Sequence, residues 1–247
     1  MKHKYQYLEE LSHCVRCGGC KAPCPTYGND PSEGMGARGR LVLIRSLLAG
    51  ELKPSDALNE RIFSCILCGA CTRACPLGID IPEAVYLGRA LLKDSDRKRR
   101  LLRTFAKFAV KWPDLTFRMM KMSQRLLFPL LARKGVLPFR PDFPDIPFRD
   151  SGQVHKVPKK QGRVAIFTGC SVNYLFPSLG ESLINVLRSI GYEVILPKGE
   201  ACCGSPLRAL GLEAEAVALA KKNYQIFSRL KVDAILSLCP TCSYTLK

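Results

Sequence analysis

Cys14-Val15-Arg16-Cys17-Gly18-Gly19-Cys20-Lys21-Ala22-Pro23-Cys24-Pro25 and Cys65-Ile66-Leu67-Cys68-Gly69-Ala70-Cys71-Thr72-Arg73-Ala74-Cys75-Pro76 are two copies of one pattern. Each reads C-x2-C-x2-C-x3-C-P, and every cysteine of the second copy follows its counterpart by 51 residues. The two copies hold eight of the 13 cysteines in a chain of 247 residues, a length that suits one to two domains. With 47% hydrophobic and 24% charged residues the composition is that of a globular protein, which excludes wholesale disorder, collagen and coiled coil. No apolar run approaches the ~20 residues of a membrane span. Met1–Glu10 lacks the apolar stretch of a secretory signal, so the cytoplasm is the expected compartment. Disulfides are rare there, and an odd number of cysteines cannot all pair within one chain. The cysteine density therefore points to metal.

The run resembles that of bacterial ferredoxins, which hold [4Fe–4S] clusters. Three cysteines at three-residue spacing on a tight loop can wrap one cubane, and Gly18, Gly19 and Gly69 let the backbone bend close to it. Structural zinc is the alternative, but its sites use two C-x2-C pairs per ion and have no C-P end. In two-cluster ferredoxins the fourth cysteine serves the other cluster. That resemblance assigns Cys14, Cys17, Cys20 and Cys75 to one cubane, and Cys65, Cys68, Cys71 and Cys24 to the second.

Between the copies, Leu41, Ile44, Leu47 and Leu48 have helical spacing within Arg40–Leu48, and Gly50 is a stop. Ser55 and Asp56 cap a helix toward Phe63, and Ile81–Leu92 is a third, with Pro82 in its first turn. Strand alternation is absent. The expectation for residues 1–95 is an α-helical ferredoxin domain with two [4Fe–4S] sites.

From residue 162 to 247 the pattern changes. Arg163–Thr168, Tyr192–Leu196 and Val232–Leu238 read as strands, and Ser178–Ile190 and Leu212–Leu230 as the helices between them. This alternation predicts a parallel α/β sheet. Cys170, Cys202, Cys203, Cys239 and Cys242 fall at or just beyond the carboxyl ends of the three strands, the edge where such sheets bind ligands. Metal or cluster binding, thioredoxin-like chemistry at Cys239-x2-Cys242, and simple packing are the competing readings. The adjacent pair Cys202–Cys203 favours the first.

Cys170, then Cys202-Cys203-Gly204, then Cys239-x2-Cys242 resembles the cysteine-rich CCG domain of heterodisulfide reductase subunits. Joined to the paired ferredoxin-type runs, it resembles a family of iron–sulfur subunits. That family includes those of glycolate oxidase (glycolate dehydrogenase) and of anaerobic glycerol-3-phosphate dehydrogenase, together with lactate-utilisation proteins. Cys20–Tyr27, Ala37-Arg38-Gly39-Arg40 and Cys75–Asp80 are most similar to the glycolate oxidase protein. The resemblance implies an electron-transfer subunit of a flavin-dependent 2-hydroxyacid dehydrogenase. Its partner would be a flavoprotein dehydrogenase subunit, its acceptor a quinone or another carrier, and the five CCG cysteines would hold a third iron–sulfur centre. A heterodisulfide reductase-like subunit with disulfide chemistry at the CCG centre is the alternative. Family members carry two CCG domains, and this sheet ends on its third strand at Lys247, so an incomplete, truncated CCG domain is expected. No substrate site or catalytic residue is evident. Gly34-x-Gly36-x-x-Gly39 follows a cysteine loop instead of a strand and reads as a turn.

The formal net charge is +17, and residues 93–163 hold 19 Lys/Arg against 6 Asp/Glu. Within residues 96–161, Leu101, Phe105, Phe108 and Trp112 share one helical face, opposite Arg100, Arg103, Lys107 and Lys111. An apolar helical stretch continues through Phe117, Met119, Met120, Met122, Leu126 and Leu127 toward Pro129, and Pro138, Pro141, Pro144 and Pro147 mark a linker. Residues 97–131 are thus a basic amphipathic segment. A solvated face, a peripheral membrane or quinone-linked contact at the inner face of the membrane, and nucleic-acid binding compete to explain it. The last lacks any accompanying motif, which makes the chain a poor nucleic-acid binder in expectation and leaves a nucleic-acid-binding iron–sulfur protein as the weakest alternative.

Overall fold

A computed structural model describes residues 9–126, 143–151 and 154–246. Leu127, Pro129, Pro138 and Pro141 lie outside these residues. The chain forms two compact units. The first runs to Arg103 and takes in Pro206–Glu213; the second comprises Thr104–Ser205 and the chain from Ala214 onward. The stretch expected to link two domains is thus divided between the units.

The described residues of the first unit are helical: α1 (Pro25–Asn29), α2 (Ala37–Ala49), α3 (Asp56–Phe63), α4 (Ala70–Arg73) and α5 (Ile81–Leu92), with no strand among them. Their ends follow the local chemistry. The Ser55 hydroxyl accepts from Leu58 N at the start of α3, and the Asp80 carboxylate accepts from Glu83 N at the start of α5. Gly50 closes α2 in the left-handed conformation. Leu41, Ile44 and Leu48 of α2 meet Leu58 and Ile62 of α3 and Ile81, Val85 and Leu92 of α5 in one core. Gly39 is needed where α2 begins, because a Cβ there would stand 2.0 Å from the Glu33 carbonyl oxygen.

The second unit begins within α6 (Arg100–Lys111) and α7 (Pro113–Leu126), which meet at Trp112. It then builds a four-stranded sheet in the order β1-β3-β2-β4 from β1 (Val154–His155), β2 (Gly162–Ile166), β3 (Tyr192–Ile195) and β4 (Ala234–Leu236). The three expected strands are parallel to their neighbours, with Val164 opposite Val194 and Ala234. The sheet is nevertheless mixed, which corrects the expectation of a wholly parallel one. β1 adds antiparallel to β3 at the edge, Val154 opposite Ile195. A two-residue strand is too short to show an alternation.

β2 feeds two cores by alternation. Val164 and Ile166 face Ile184 and Leu187 of α9 (Pro177–Ser189) on one side. Ala165 and Phe167 face Phe227 of α11 (Glu213–Phe227) on the other, together with Cys203 and Cys242. Three short helices were not expected: α8 (Gly169–Tyr174), α10 (Ser205–Ala209) and α12 (Pro240–Thr245). All three begin within three residues of a CCG cysteine.

Gly39→Ala drives a methyl group into backbone that cannot swing away. The expected loss is about 2–4 kcal/mol of stability, far above that of an ordinary helix-surface substitution. Chemical denaturation of the variant measures it; a loss under about 0.5 kcal/mol would mean that the close approach of Glu33 and Gly39 is not a constraint.

Candidate functional site

The two cysteine loops share one backbone. Among the described residues, Arg16 and Leu67, the third residues of the two copies, are the non-glycine residues with positive φ, at 58° and 59°. Gly18 and Gly69 follow in the same conformation, at 84° and 73°. Left-handed geometry at a residue with a Cβ costs ~1–2 kcal/mol, and here it recurs at the same point of both copies. It curls each loop so that its cysteines face inward.

One cavity is lined by Cys14, Cys17, Cys20 and Cys75, with Leu41, Ile79 and Ile81 behind them. A second is lined by Cys65, Cys68, Cys71 and Cys24, with Arg40. Each cavity takes three cysteines from one copy and the fourth from the other. Cys24 and Cys71 are buried, whereas Cys17 and Cys68 are exposed on the outer rims. Burial raises the Cys20 thiol above its ordinary pKa, and burial with the neighbouring Cys65 pushes Cys71 up to about 11. Such thiols ionise on binding metal, which releases protons. Cys24 differs: burial opposes its ionisation, but the Thr26 hydroxyl, backbone amides and Arg40 together hold its pKa below the usual value.

Whether these residues suit a cluster can be judged from two buried cations. Arg40 is 1% exposed and Arg89 4%. Arg40 donates to Arg61 O (2.7 Å), Thr26 Oγ1 (2.9 Å) and Ser64 Oγ (2.9 Å). Arg89 donates to the carbonyls of Ile62, Phe63, Cys65 and Ala209. Neither forms an ion pair with a carboxylate among the described residues. A buried charge without a counter-ion costs several kcal/mol, and both arginines lie against the second cysteine set. A [4Fe–4S]2+ core with four thiolates carries about −2, the sign that the two guanidinium groups require.

The first loop is held differently. Arg38 donates to the Arg16 carbonyl (2.8 Å) and forks onto Glu33 (2.6 and 3.0 Å), which also receives Lys21 (2.9 Å). His13, beside Cys14, is exposed.

The five remaining cysteines come together in the second unit. Cys170 opens α8 just after β2, Cys202 and Cys203 follow β3, and Cys239 and Cys242 begin α12 after β4. Their thiols act on one another's ionisation in a series from Cys170 through Cys202, Cys203 and Cys242 to Cys239. The neighbouring Cys202 thiol holds Cys170 below the usual thiol range, and Cys202 with Cys242 does the same to Cys203, while Cys202 and Cys242 are themselves pushed up. A Cβ on Gly169 would stand 2.9 Å from the Cys242 sulfur, so glycine is required at this turn, where φ is +58°.

Two buried polar side chains hold these loops without using sulfur. Glu200 accepts from Thr168 N (3.1 Å), Thr168 Oγ1 (2.9 Å) and Gly169 N (2.7 Å). Asn223 accepts from Ala201 N (2.8 Å) and donates to Cys202 O (3.1 Å). Sequence reasoning missed Glu200, Asn223 and Arg89. For Arg89 a signal existed: with Val85 and Leu92 it occupies the apolar stripe of α5, an improbable place for a charge without a task. Glu200 and Asn223 carried none.

Two family models match the chain: the 4Fe-4S dicluster domain over residues 10–79 and the cysteine-rich CCG domain over residues 164–247. An uncharacterized iron-sulfur protein of Methanococcus maripaludis is 31% identical across 97% of this chain and 44% of its own length. A probable glycolate oxidase iron-sulfur subunit of Bacillus subtilis is 26% identical across 94% of this chain and 57% of its own. A dihydromethanophenazine:CoB–CoM heterodisulfide reductase subunit of Methanosarcina acetivorans is 27% identical across 95% and 56%. This chain thus spans about half the length of the curated relatives it matches. No solved structure matches it significantly.

The Glu33 carboxylate gives a pH test of the first loop. Hydrogen bonds from Arg38 and then Lys21 lower its pKa from 4.5 to about 2. A depressed folded-state pKa contributes stability that is full above pH 4.5 and lost as pH falls toward 2. Glu33→Gln should lower the melting temperature by about 1–3 °C at pH 7, and the difference from the parent should vanish near pH 2. A difference that persists unchanged at acid pH would place its origin elsewhere.

On its two matched domains, its thirteen cysteines and its named relatives, the chain is an iron–sulfur protein in which a 4Fe-4S dicluster domain precedes a cysteine-rich CCG domain, related to the iron–sulfur subunits of glycolate oxidase and to heterodisulfide reductase subunits.

Proposed function

We propose that this protein is the electron-transfer subunit of an oxidoreductase complex, with two [4Fe–4S] clusters and a third iron–sulfur centre at the CCG cysteines. The complex is a flavin-dependent 2-hydroxyacid dehydrogenase of the glycolate oxidase kind. Its flavoprotein partner oxidises the substrate in the cytoplasm, and a quinone or another carrier at the inner membrane face accepts the electrons. The observation that supports this most is the crossed lining of the two cavities: Cys14, Cys17, Cys20 and Cys75 around one, Cys65, Cys68, Cys71 and Cys24 around the other. When bound, such clusters supply one-electron transfer without making or breaking substrate bonds.

The chain's own residues do the rest. The left-handed turns at Arg16 and Leu67 present the thiolates inward. Arg40 and Arg89 compensate negative charge at the second set from buried positions, while at the first the partly exposed Arg38 and Lys21 share the Glu33 carboxylate. The second cluster should therefore be the easier to reduce. Val15 and Ile66, at equivalent positions of the two copies, are exposed apolar residues next to the exposed Cys17 and Cys68. They offer partner proteins a dry contact at the shortest approach to each cluster.

A heterodisulfide reductase-like role is the second reading, favoured by one observation: Cys170 is an exposed residue at the end of the series of five cysteines. A thiol or disulfide substrate could reach a centre there. Co-purification separates the two readings. A flavoprotein partner and 2-hydroxyacid-dependent reduction support the first, and reduction of a disulfide by the isolated complex supports the second.

The ligand assignment is tested by selective EPR of reduced variants. Cys24→Ser should alter the signal of the cluster held by Cys65, Cys68 and Cys71, and Cys20→Ser the other. If both substitutions perturb one signal, the crossed pairing is wrong. Arg40→Met removes a buried cation and should lower the potential of the second cluster by roughly 50–100 mV, leaving the first within about 20 mV. An equal shift of both clusters, or none, in a redox titration would remove Arg40 from the charge balance.

A further inference from the structure

We propose that the outward face of α6 and α7 lays this protein on an anionic lipid surface. The surface contains no cysteine, and the proposal does not rest on the electron-transfer reading. Leu101, Phe105, Phe108, Trp112, Leu115, Met119 and Met122 recur at alternating steps of four and three residues, and all seven are exposed, from Leu101 at 85% to Phe108 at 37%. The i to i−4 hydrogen bonds Trp112 N to Phe108 O (2.8 Å) and Thr116 N to Trp112 O (2.9 Å) carry the helical pattern past Pro113. The stripe is therefore one face of a nearly continuous rod, about 32 Å long at 1.5 Å per residue.

The opposite face is anchored, so the stripe points outward by construction. Phe117 packs against Phe143 and Tyr174, and the Tyr174 hydroxyl donates to Asp114. Lys121 pairs with Asp145, and Lys107 with Glu215. Arg103, on the same side of α6, is buried on Asp96.

Charge chooses the occupant. Residues 97–126 hold ten Lys/Arg and a single acid, Asp114, which lies on the anchored side. Arg97, Lys98, Lys111 and Arg118 are exposed. Two phenylalanines and a tryptophan in one patch suit the boundary between headgroups and acyl chains, where an aromatic ring is buried on one side and wet on the other. A facing helix would need matched knobs and acidic flanks, whereas a bilayer needs only a broad apolar stripe under a basic rim. No helix among the described residues is long and apolar enough to cross a membrane, so the contact runs along the surface.

Trp112 is the single tryptophan and reports its own environment. The cluster-loaded full chain should float with vesicles of phosphatidylcholine and phosphatidylglycerol at 7:3, with a blue shift of Trp112 emission. It should neither float nor shift with phosphatidylcholine alone. Binding should fall at least tenfold between 50 and 500 mM salt. Phe105→Ser with Phe108→Ser keeps the reporter, sits at exposed positions that should leave the cluster absorbance intact, and should lose binding at least tenfold. Each of Arg97→Gln, Lys111→Gln and Arg118→Gln should weaken it about fivefold. Failure to float with anionic vesicles at low salt would overturn the proposal. So would equal binding to neutral vesicles, or undiminished binding by the double serine variant. A mass doubling in sedimentation that the same variant abolishes, without vesicle binding, would assign the stripe to a second copy of this chain instead.

Discussion

Two guanidinium groups buried without a carboxylate hold much of the first unit in place. Arg40 bridges α1, α2 and the end of α3 through Thr26, Arg61 and Ser64. Arg89 gathers the carbonyls of Ile62, Phe63 and Cys65 onto α5 and reaches Ala209. A carbonyl satisfies a guanidinium's hydrogen bonds but not its charge. In the metal-free protein both residues are a liability, because the desolvation cost of a cation is recovered only by a nearby anion. On the proposed assignment the second cysteine set would provide that anion once its thiolates carry a cluster, and folding and loading would then be coupled through charge as well as through ligation.

The repeat makes a related point about geometry. An offset of 51 residues relates the cysteines, but it also relates Arg16 to Leu67 and Gly18 to Gly69 in conformation. The side chains at 16 and 67 share nothing chemically, so what the two copies preserve is a backbone path. Each copy contributes three inward sulfurs from that path and lends its fourth, one residue later than the regular spacing, to the other cavity. This exchange ties the two loops together, so that neither site can be completed by a local segment alone.

Legibility in the sequence followed the range of the interactions. The helices α2, α3 and α5 were readable because Gly50, Ser55 and Pro82 act on their own neighbours. The three parallel strands were readable because each is an apolar run ending near a cysteine. The edge strand Val154–His155 was not, since its existence depends on an open edge of β3 some 40 residues away in sequence. The same holds for the clamps: Glu200 acts on Thr168 and Gly169 across 32 and 31 residues, and Asn223 on Ala201 across 22. A lone acid or amide has no periodicity to reveal it. Arg40 and Arg89 are intermediate cases, since a charge inside an apolar stripe is visible in the sequence but its counter-ion is not.

The net charge of +17 can now be divided by what it faces. A charge that balances clusters should be buried and turned toward cysteines, as Arg40 and Arg89 are. The exposed basic residues between Arg97 and Arg118 are neither. Arg99 and Arg103 share the buried Asp96, and with Arg89 they surround the Phe63 ring at 4.3 to 5.6 Å, so they belong to the internal structure. Arg97, Lys98, Lys111 and Arg118 lie on solvent beside an apolar stripe that packing among the described residues leaves uncovered. Cluster charge, confined to the cavities and screened by water within ~10 Å, does not account for them. The excess of basic residues therefore has two physical settings, one inside the first unit against the cysteine loops and one on the outer face of α6 and α7, and the second calls for an anionic partner outside the cysteine sites.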